Sequence, residues 1–294
     1  MERKFFLGIA DNDLFASVVV GDPSGKVIAT SVGGSVNYHY WGLEQARANL
    51  MDLVHQTVGW DRRASLAGAC FTYKADFAVT EWKMPDLVSG FLEGTDVMVE
   101  DFATSSLLGM HGGEDRLFLV GGHSGLAVFE DSTGRQLQTR QEALMWNPIM
   151  RLNSKLQEVA GVDRNQCVED LLYLKSQIAL GKGLGVFTDI LDQRVSQGSS
   201  LALEVAYELA YDLVQMVTSM SAHFRGLEPV IGLYGQILLG SQTIRTRVHH
   251  LLSLLFPQCR IVDVPLAPAK GAYLSSVLTR RSGFEQEVIT NLFN

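Results

Sequence analysis

Four short stretches carry residue types able to do chemistry. Asp11 and Asp13 stand two positions apart in Gly8–Ser17, at the chain's first sharp turn. Carboxylates so spaced either recruit a divalent cation or simply form the turn, since Asp and Asn tolerate left-handed backbone. Glu100 and Asp101 close an apolar run just before a helical stretch, where an Asp suits the N-cap. Gly122, His123, Ser124 and Gly125 make a turn of small residues. Glycines in such a turn let backbone N–H groups converge on an anion without obstruction by Cβ. His123 there either hydrogen-bonds a phosphate or sugar or caps the turn. Asn37, Tyr38, His39, Tyr40 and Trp41 are consecutive. Their rings offer apolar faces on which a sugar stacks, and His39 offers a donor to a hydroxyl. The same aromatics equally suit a core or an interface.

The elements that must position these groups read as two similar halves. Residues 4–10, 14–22 and 25–34 are β-branched or aromatic runs separated by Asp-Asn-Asp and Asp-Pro-Ser-Gly, an antiparallel meander. A helix over 42–58 follows, with Leu43, Ala46, Leu50, Leu53 and Val54 on one stripe. Then come a buried strand at 64–73, a helix at 78–92 interrupted by Pro85, and a strand at 95–101. The second half repeats the logic. Strands are expected at 116–123, 125–135 and 136–140, and helices at 141–159, 166–180, 184–196 and 199–226. A strand at 229–234, a helix at 241–256, a strand near 258–265 and a closing helix at 268–282 complete it. The repetition implies a duplicated architecture.

Bulk properties exclude several classes. The 294 residues are 47% hydrophobic, enough for a substantial core in two lobes. A net charge of −8 gives no general pull on nucleic acid or on an anionic membrane surface. Cys70, Cys167 and Cys259 are scattered, without metal or disulfide spacing. No metal site is expected from them. No run of about 18 apolar residues appears, and the opening residues do not read as a secretion signal. The expectation is a cytoplasmic protein.

In layout, residues 4–50, the Ala-Gly strand at 64–69, the Val-Met-Val-Glu-Asp strand, the Gly-His-Ser-Gly turn, the segment at 229–252 and the Pro-x-x-Gly-Ala helix at 266–278 together resemble a known group. This is the BadF/BcrA-type group of actin-like ATPases, which includes N-acetylglucosamine kinases and activators of benzoyl-CoA reductase. The resemblance covers nearly the whole chain. It implies an α/β, two-lobed, actin-like (ribonuclease H-like) fold, each lobe a mixed five-stranded βββαβα-type sheet with flanking helices. The lobes would span 1–115 and 116–267, with the closing helix from about 268 to 294 packing back on the first.

The resemblance also implies roles. Asp101 matches the base that accepts a sugar hydroxyl's proton, or it caps the next helix, or both. Asn37 matches an Asn that meets sugar, with His39 and Trp41 beside it as further substrate contacts. Asp11, Asp13, Gly122, His123, Ser124, Gly125 and Gly235 fall on nucleotide-binding loops, which would hold ATP and Mg2+ if the chain is a kinase. The departures are coordinated. The family's first-loop Asp falls on Ala10, its glycines on Asp11, Asn12 and Asp13, and its Thr on Leu14. Two carboxylates facing a triphosphate would cost roughly 4 kcal/mol for one charge pair at about 4 Å. The sugar-loop glycines and acidic pair are missing, and Tyr234 replaces a glycine beside Gly235, there to block adenine or stack on it. The expectation is a degenerate sugar-kinase-like protein with weak or absent phosphotransfer. It would bind a small ligand, an amino sugar among the candidates, or a protein partner, with no nucleic acid or membrane partner, and would work as a homodimer. The alternative is an active N-acetylglucosamine or related amino-sugar kinase. A reductase activator would need clustered cysteines for an iron–sulfur cluster, which this chain lacks.

Overall fold

A computed structural model describes residues 4–12, 15–59, 66–73, 84–89, 92, 94–110, 115–122, 124–141, 144, 183–280 and 285–293. The chain divides into two compact units, Met1–Gly113 with Leu266–Asn294, and Glu114–Pro265. Among the described residues no helix is long and apolar enough to cross a membrane.

The first unit is built on a five-stranded sheet of order β3-β2-β1-β4-β5. Its strands are β1 (Phe5–Asp11), β2 (Phe15–Gly21), β3 (Val27–Gly34), β4 (Leu66–Tyr73) and β5 (Asp96–Asp101). The meander pairs β1, β2 and β3 antiparallel, and β4 and β5 continue parallel to β1. β1 is buried along its whole length, because helices cover both faces of the sheet. Phe5, Leu7 and Ile9 pack with Leu50, Leu53 and Val54 of α2 (Leu43–Val58), the stripe that the sequence periodicity marks. The alternate residues Phe6 and Ala10 pack with Ala269, Tyr273 and Val277 of α9 (Ala267–Leu278). Short helices α1 (Tyr38–Trp41), α3 (Met84–Val88) and α4 (Phe102–Leu108) lie between strands or follow β5.

Helices α4 and α9 cross at glycines. A Cβ on Gly271 would stand 1.6 Å from the Ser105 carbonyl oxygen, and one on Gly109 would stand 1.7 Å from that of Ala267. The crossing therefore tolerates only hydrogen at these two positions. The closing helix expected over 268–282 ends at Leu278, and a further helix, α10 (Glu285–Phe293), adds Val288 and Leu292 to the same core.

The second unit repeats the plan with sheet order β10-β9-β6-β7-β8. Strands β6 (Arg116–Gly121), β7 (Gly125–Glu130) and β8 (Gln136–Gln141) form its meander; β9 (Val230–Tyr234) and β10 (Arg260–Asp263) extend it in parallel. Taken from its other edge this order is β8-β7-β6-β9-β10, that of the first sheet with every strand number raised by five, which is the duplicated architecture in structural form. Helices α5 (Gly183–Ser196), α6 (Ser200–Met220), α7 (Gln236–Gly240) and α8 (Gln242–Leu255) flank it. The helix expected from 141 begins in error: Gln141 closes β8, paired with Gly125. The rest of that helix and the one at 166–180 lie outside the described residues.

Candidate functional site

Three parallel strands end side by side in the first unit, and their last residues pair in one row, Asp11 with Tyr73 and Tyr73 with Asp101. The preceding row runs Ser17, Ala10, Thr72, Glu100. Because strand side chains alternate, the two rows face opposite sides of the sheet.

Asp11 is not at the tip of a hairpin, as its place in the Asp-Asn-Asp turn suggests. It is the last residue of β1 and fully buried. Its carboxylate accepts the Val36 N–H at 2.5 Å and the Ser35 hydroxyl at 3.1 Å. The Ser35 oxygen in turn accepts the Asn37 N–H at 3.1 Å, and the Asn49 side chain donates to the Ser35 carbonyl at 2.7 Å. Asp11 thus ties the end of β1 to the chain leaving β3. Asn12 forms the turn, its side-chain oxygen accepting the Phe15 N–H at 3.1 Å. Asp13 lies outside the described residues. The repulsion expected between two turn carboxylates and a triphosphate therefore does not apply to Asp11, which is spent internally.

Tyr73 stacks on Phe71 with ring centroids 6.2 Å apart. Burial first, then the charge of Asp11 and the neighbouring Tyr38, push its phenol well above the usual value. Asn37 and Tyr38 are buried with this group. Trp41 is half-buried, and its indole N–H has no hydrogen-bond partner among the described residues. The side chains of His39 and Tyr40 lie outside them.

Asp101 is exposed and caps α4, accepting the Thr104 N–H at 2.9 Å and its hydroxyl at 3.2 Å. Glu100, on the other face, accepts hydroxyls from Ser105 of α4 and Ser275 of α9. In the same row Ser17 and Thr72 are fully buried, and neither hydroxyl has a partner among the described residues. They flank the Ala10 methyl on either side. A buried hydroxyl without a partner costs free energy, and a longer acceptor-bearing side chain at position 10 would lie between the two.

In the second unit Gly121 pairs with Gly125 to close the β6–β7 hairpin. Gly122 and Ser124 are buried, and His123 lies outside the described residues. Gly125 and Gly235 have packing reasons. A Cβ on Gly125 would meet the Met216 sulfur at 2.6 Å, and one on Gly235 would meet the Gly121 carbonyl oxygen at 2.4 Å. Gly235 also has φ +98, a conformation that favours glycine. Tyr234 neither faces outward nor offers its ring: it is fully buried, stacked on Phe118 with centroids 5.5 Å apart.

Sequence inspection did not single out Asp192. Its carboxylate reaches the start of α8, accepting the Ser241 hydroxyl and the Gln242 N–H, each at 2.7 Å, and the Thr243 N–H at 3.3 Å. The helix start that could hold an external anion already holds one of the protein's own. Among the described residues no three His, Cys, Asp or Glu side chains come together as a metal site.

The sequence matches no family model and no curated protein. Solved structures match over nearly the full chain. A candidate N-acetylglucosamine kinase from Chromobacterium violaceum aligns at TM-score 0.62 and 11% identity, covering 93% of this chain and 99% of that one. The fold is actin-like. A ROK family glucokinase from Streptomyces griseus, solved with glucose and AMPPNP, aligns at TM-score 0.61 and 13% identity, covering 92% of this chain and 99% of that one. The (R)-2-hydroxyglutaryl-CoA dehydratase component A of Acidaminococcus fermentans aligns at 0.57 and 12%, covering 94% and 98%. At these identities the likeness is one of fold, and the actin-like fold carries both sugar kinases and a dehydratase component.

Proposed function

We propose that this chain is an actin-like, sugar-kinase-shaped protein that binds a small ligand or a protein partner and has lost most or all phosphotransfer. The observation that carries this reading is the state of the first loop. Position 10 is a methyl between two orphaned hydroxyls, and the adjacent Asp11 carboxylate is buried and held by Ser35 and Val36. Neither residue presents an acid that could hold a metal-bound water. In the second unit Gly125 and Gly235 are accounted for by close packing, and Asp192 occupies the start of α8. The described residues of these loops therefore do not fit ATP with Mg2+.

Calorimetric titration with MgATP tests the proposal, together with coupled detection of ADP in the presence of N-acetylglucosamine. The expected result is no binding below millimolar and no sugar-dependent ADP. Micromolar binding with sugar-dependent turnover overturns it. Asp101 would then be the first residue to examine, because Asp101→Asn keeps the N-cap, Asn being as good a cap as Asp. Lost turnover with an unchanged melting temperature would assign Asp101 a catalytic role.

A further inference from the structure

Each sheet has two edges, and among the described residues these are β3 and β5 in the first unit and β8 and β10 in the second. An edge strand presents backbone N–H and C=O groups without a ladder partner, and proteins guard such edges with charge, proline or cover. Three of these edges are charged. β5 carries Asp96, Glu100 and Asp101, β8 carries Arg140, and β10 carries Arg260 and Asp263. β3, Val-Ile-Ala-Thr-Ser-Val-Gly-Gly, has neither charge nor proline. Its place in the duplicated plan is that of β8, whose exposed residues are Gln136, Gln138 and Arg140. The same position is polar in one sheet and unguarded in the other.

The two faces of β3 differ. Ala29, Ser31 and Gly33 are half-buried on the α2 side, where the Ser31 hydroxyl meets that of Thr57 at 2.6 Å and a Cβ on Gly33 would stand 2.9 Å from Leu53. The opposite face continues that of β2, with Thr30 paired to Val19 and Val32 to Ser17. Over β2 this face is covered: Val19 belongs to the cluster of Tyr273 and Val277 on α9, and Val27 at the start of β3 packs against it. Beyond Val27 the cover ends. Ile28 is 43% exposed, Val32 is 57% exposed, and Thr30 between them is exposed as well. The ladder to β2 shifts register at Ile28 and is regular from Ala29 to Gly34, so most of the edge is straight enough to accept another strand.

We propose that two copies of this chain join edge to edge along β3, antiparallel, into one sheet continuous across both. The strand is its own complement. Read in reverse, Ile28-x-Thr30-x-Val32 keeps its pattern of branched aliphatic, threonine, branched aliphatic. A two-fold axis at Thr30 sets Ile28 against the partner's Val32 and Thr30 against the partner's Thr30, as an isologous interface requires. Paired β-branched side chains and paired threonines are contacts that stabilise antiparallel strands, and no like charges meet. A single strand pair is smaller than a standard interface, so the dimer should dissociate in the micromolar range. The assignment rests on the sheet edge and is independent of whether the chain turns over ATP.

The test is sedimentation velocity on the full chain over a wide concentration series, paired with hydrogen exchange at its two ends. The expected result is a monomer–dimer equilibrium, with exchange slowed at the higher concentration in β3 and unchanged in β8. Thr30→Lys and Val32→Lys each enter a two-fold interface twice, and each should weaken the dimer at least about tenfold. Gln138→Lys, at the corresponding edge of the second sheet, should leave it unchanged. Both β3 positions are exposed, so the variants should melt with the parent at the lowest concentration. Only the parent's melting temperature should then rise with concentration, because association stabilises the folded state. A parent that stays monomeric throughout overturns the proposal and leaves the edge to a strand of another protein. A dimer that both lysine variants leave intact overturns it too, as does added protection lying outside β3. Higher oligomers in place of a closed pair overturn the two-fold arrangement.

Discussion

Replacing Asp11 by Ala separates a structural carboxylate from a functional one. In the folded chain that carboxylate accepts the Val36 N–H at 2.5 Å and the Ser35 hydroxyl at 3.1 Å in a fully buried setting. Hydrogen bonds to a charged group contribute about 1.5–3 kcal/mol each, and a buried donor left without an acceptor costs about 1–3 kcal/mol. The Ser35 hydroxyl can turn toward another acceptor, whereas the Val36 N–H cannot. Relief of the carboxylate's own burial offsets part of the loss. The net expectation is a destabilisation of about 3 kcal/mol. At roughly 2–4 °C per kcal/mol for a domain of this size, the melting temperature should fall by about 6–12 °C. Asp11→Asn keeps an oxygen for the Val36 N–H and should lose less than half as much. The assay is thermal unfolding followed by circular dichroism, with urea midpoints as a check. A carboxylate kept for ligand or metal chemistry behaves oppositely, since removing it relieves strain that function had imposed. A melting temperature equal to or above the parent's in Asp11→Ala would refute the internal role assigned here, and with it the main support for lost phosphotransfer.

Three further outcomes follow from the packing. Gly271→Ala places a methyl 1.6 Å from the Ser105 carbonyl, so α4 and α9 must separate; a loss of about 3 kcal/mol is expected in urea unfolding, whereas Gly134→Ala, in open space, should lose only what its φ of +82 costs. Alkaline titration followed by tyrosinate absorbance should show Tyr73 and Tyr273 silent until the chain unfolds. Both phenols are pushed up, chiefly by burial, and Tyr273 also donates to the Asp22 carbonyl at 2.6 Å. Their contribution to stability is fully present below the unfolded value of 10.0 and is lost as pH climbs from there through the raised folded values. Normal titration of all eight tyrosines in the folded chain would contradict the burial assigned to these two. Cys70 should resist a thiol-specific disulfide reagent in the native state and react on addition of denaturant, because burial and the nearby Glu100 carboxylate both push its thiol up. Rapid native labelling of Cys70, mapped by peptide mass, would show the β4 face to be open.

Local sequence determined much of this protein. The meanders are written in β-branched runs broken by Asp, Asn, Pro and Gly, and their repetition shows in the identical strand orders of the two sheets. The stripe on α2 and the N-cap at Asp101 are equally local, since helix periodicity and capping act within a few residues. Alternation along β1 also requires Ala10 and Asp11 to face opposite sides. What alternation leaves open is which side is which, and whether either side meets solvent. Only docking of α2 on one face and α9 on the other buries both. The bonds that consume Asp11 come from residues 24 and 25 positions away, and Glu100 is tied to Ser275 across 175. The hydroxyls flanking Ala10 sit on β2 and β4, neighbours only once the sheet forms. A turn composition is compatible with a phosphate loop or a plain hairpin alike. Tertiary packing decided between an outward and an inward carboxylate, because hydrogen bonds are set by where distant backbone arrives and not by the residue types beside them.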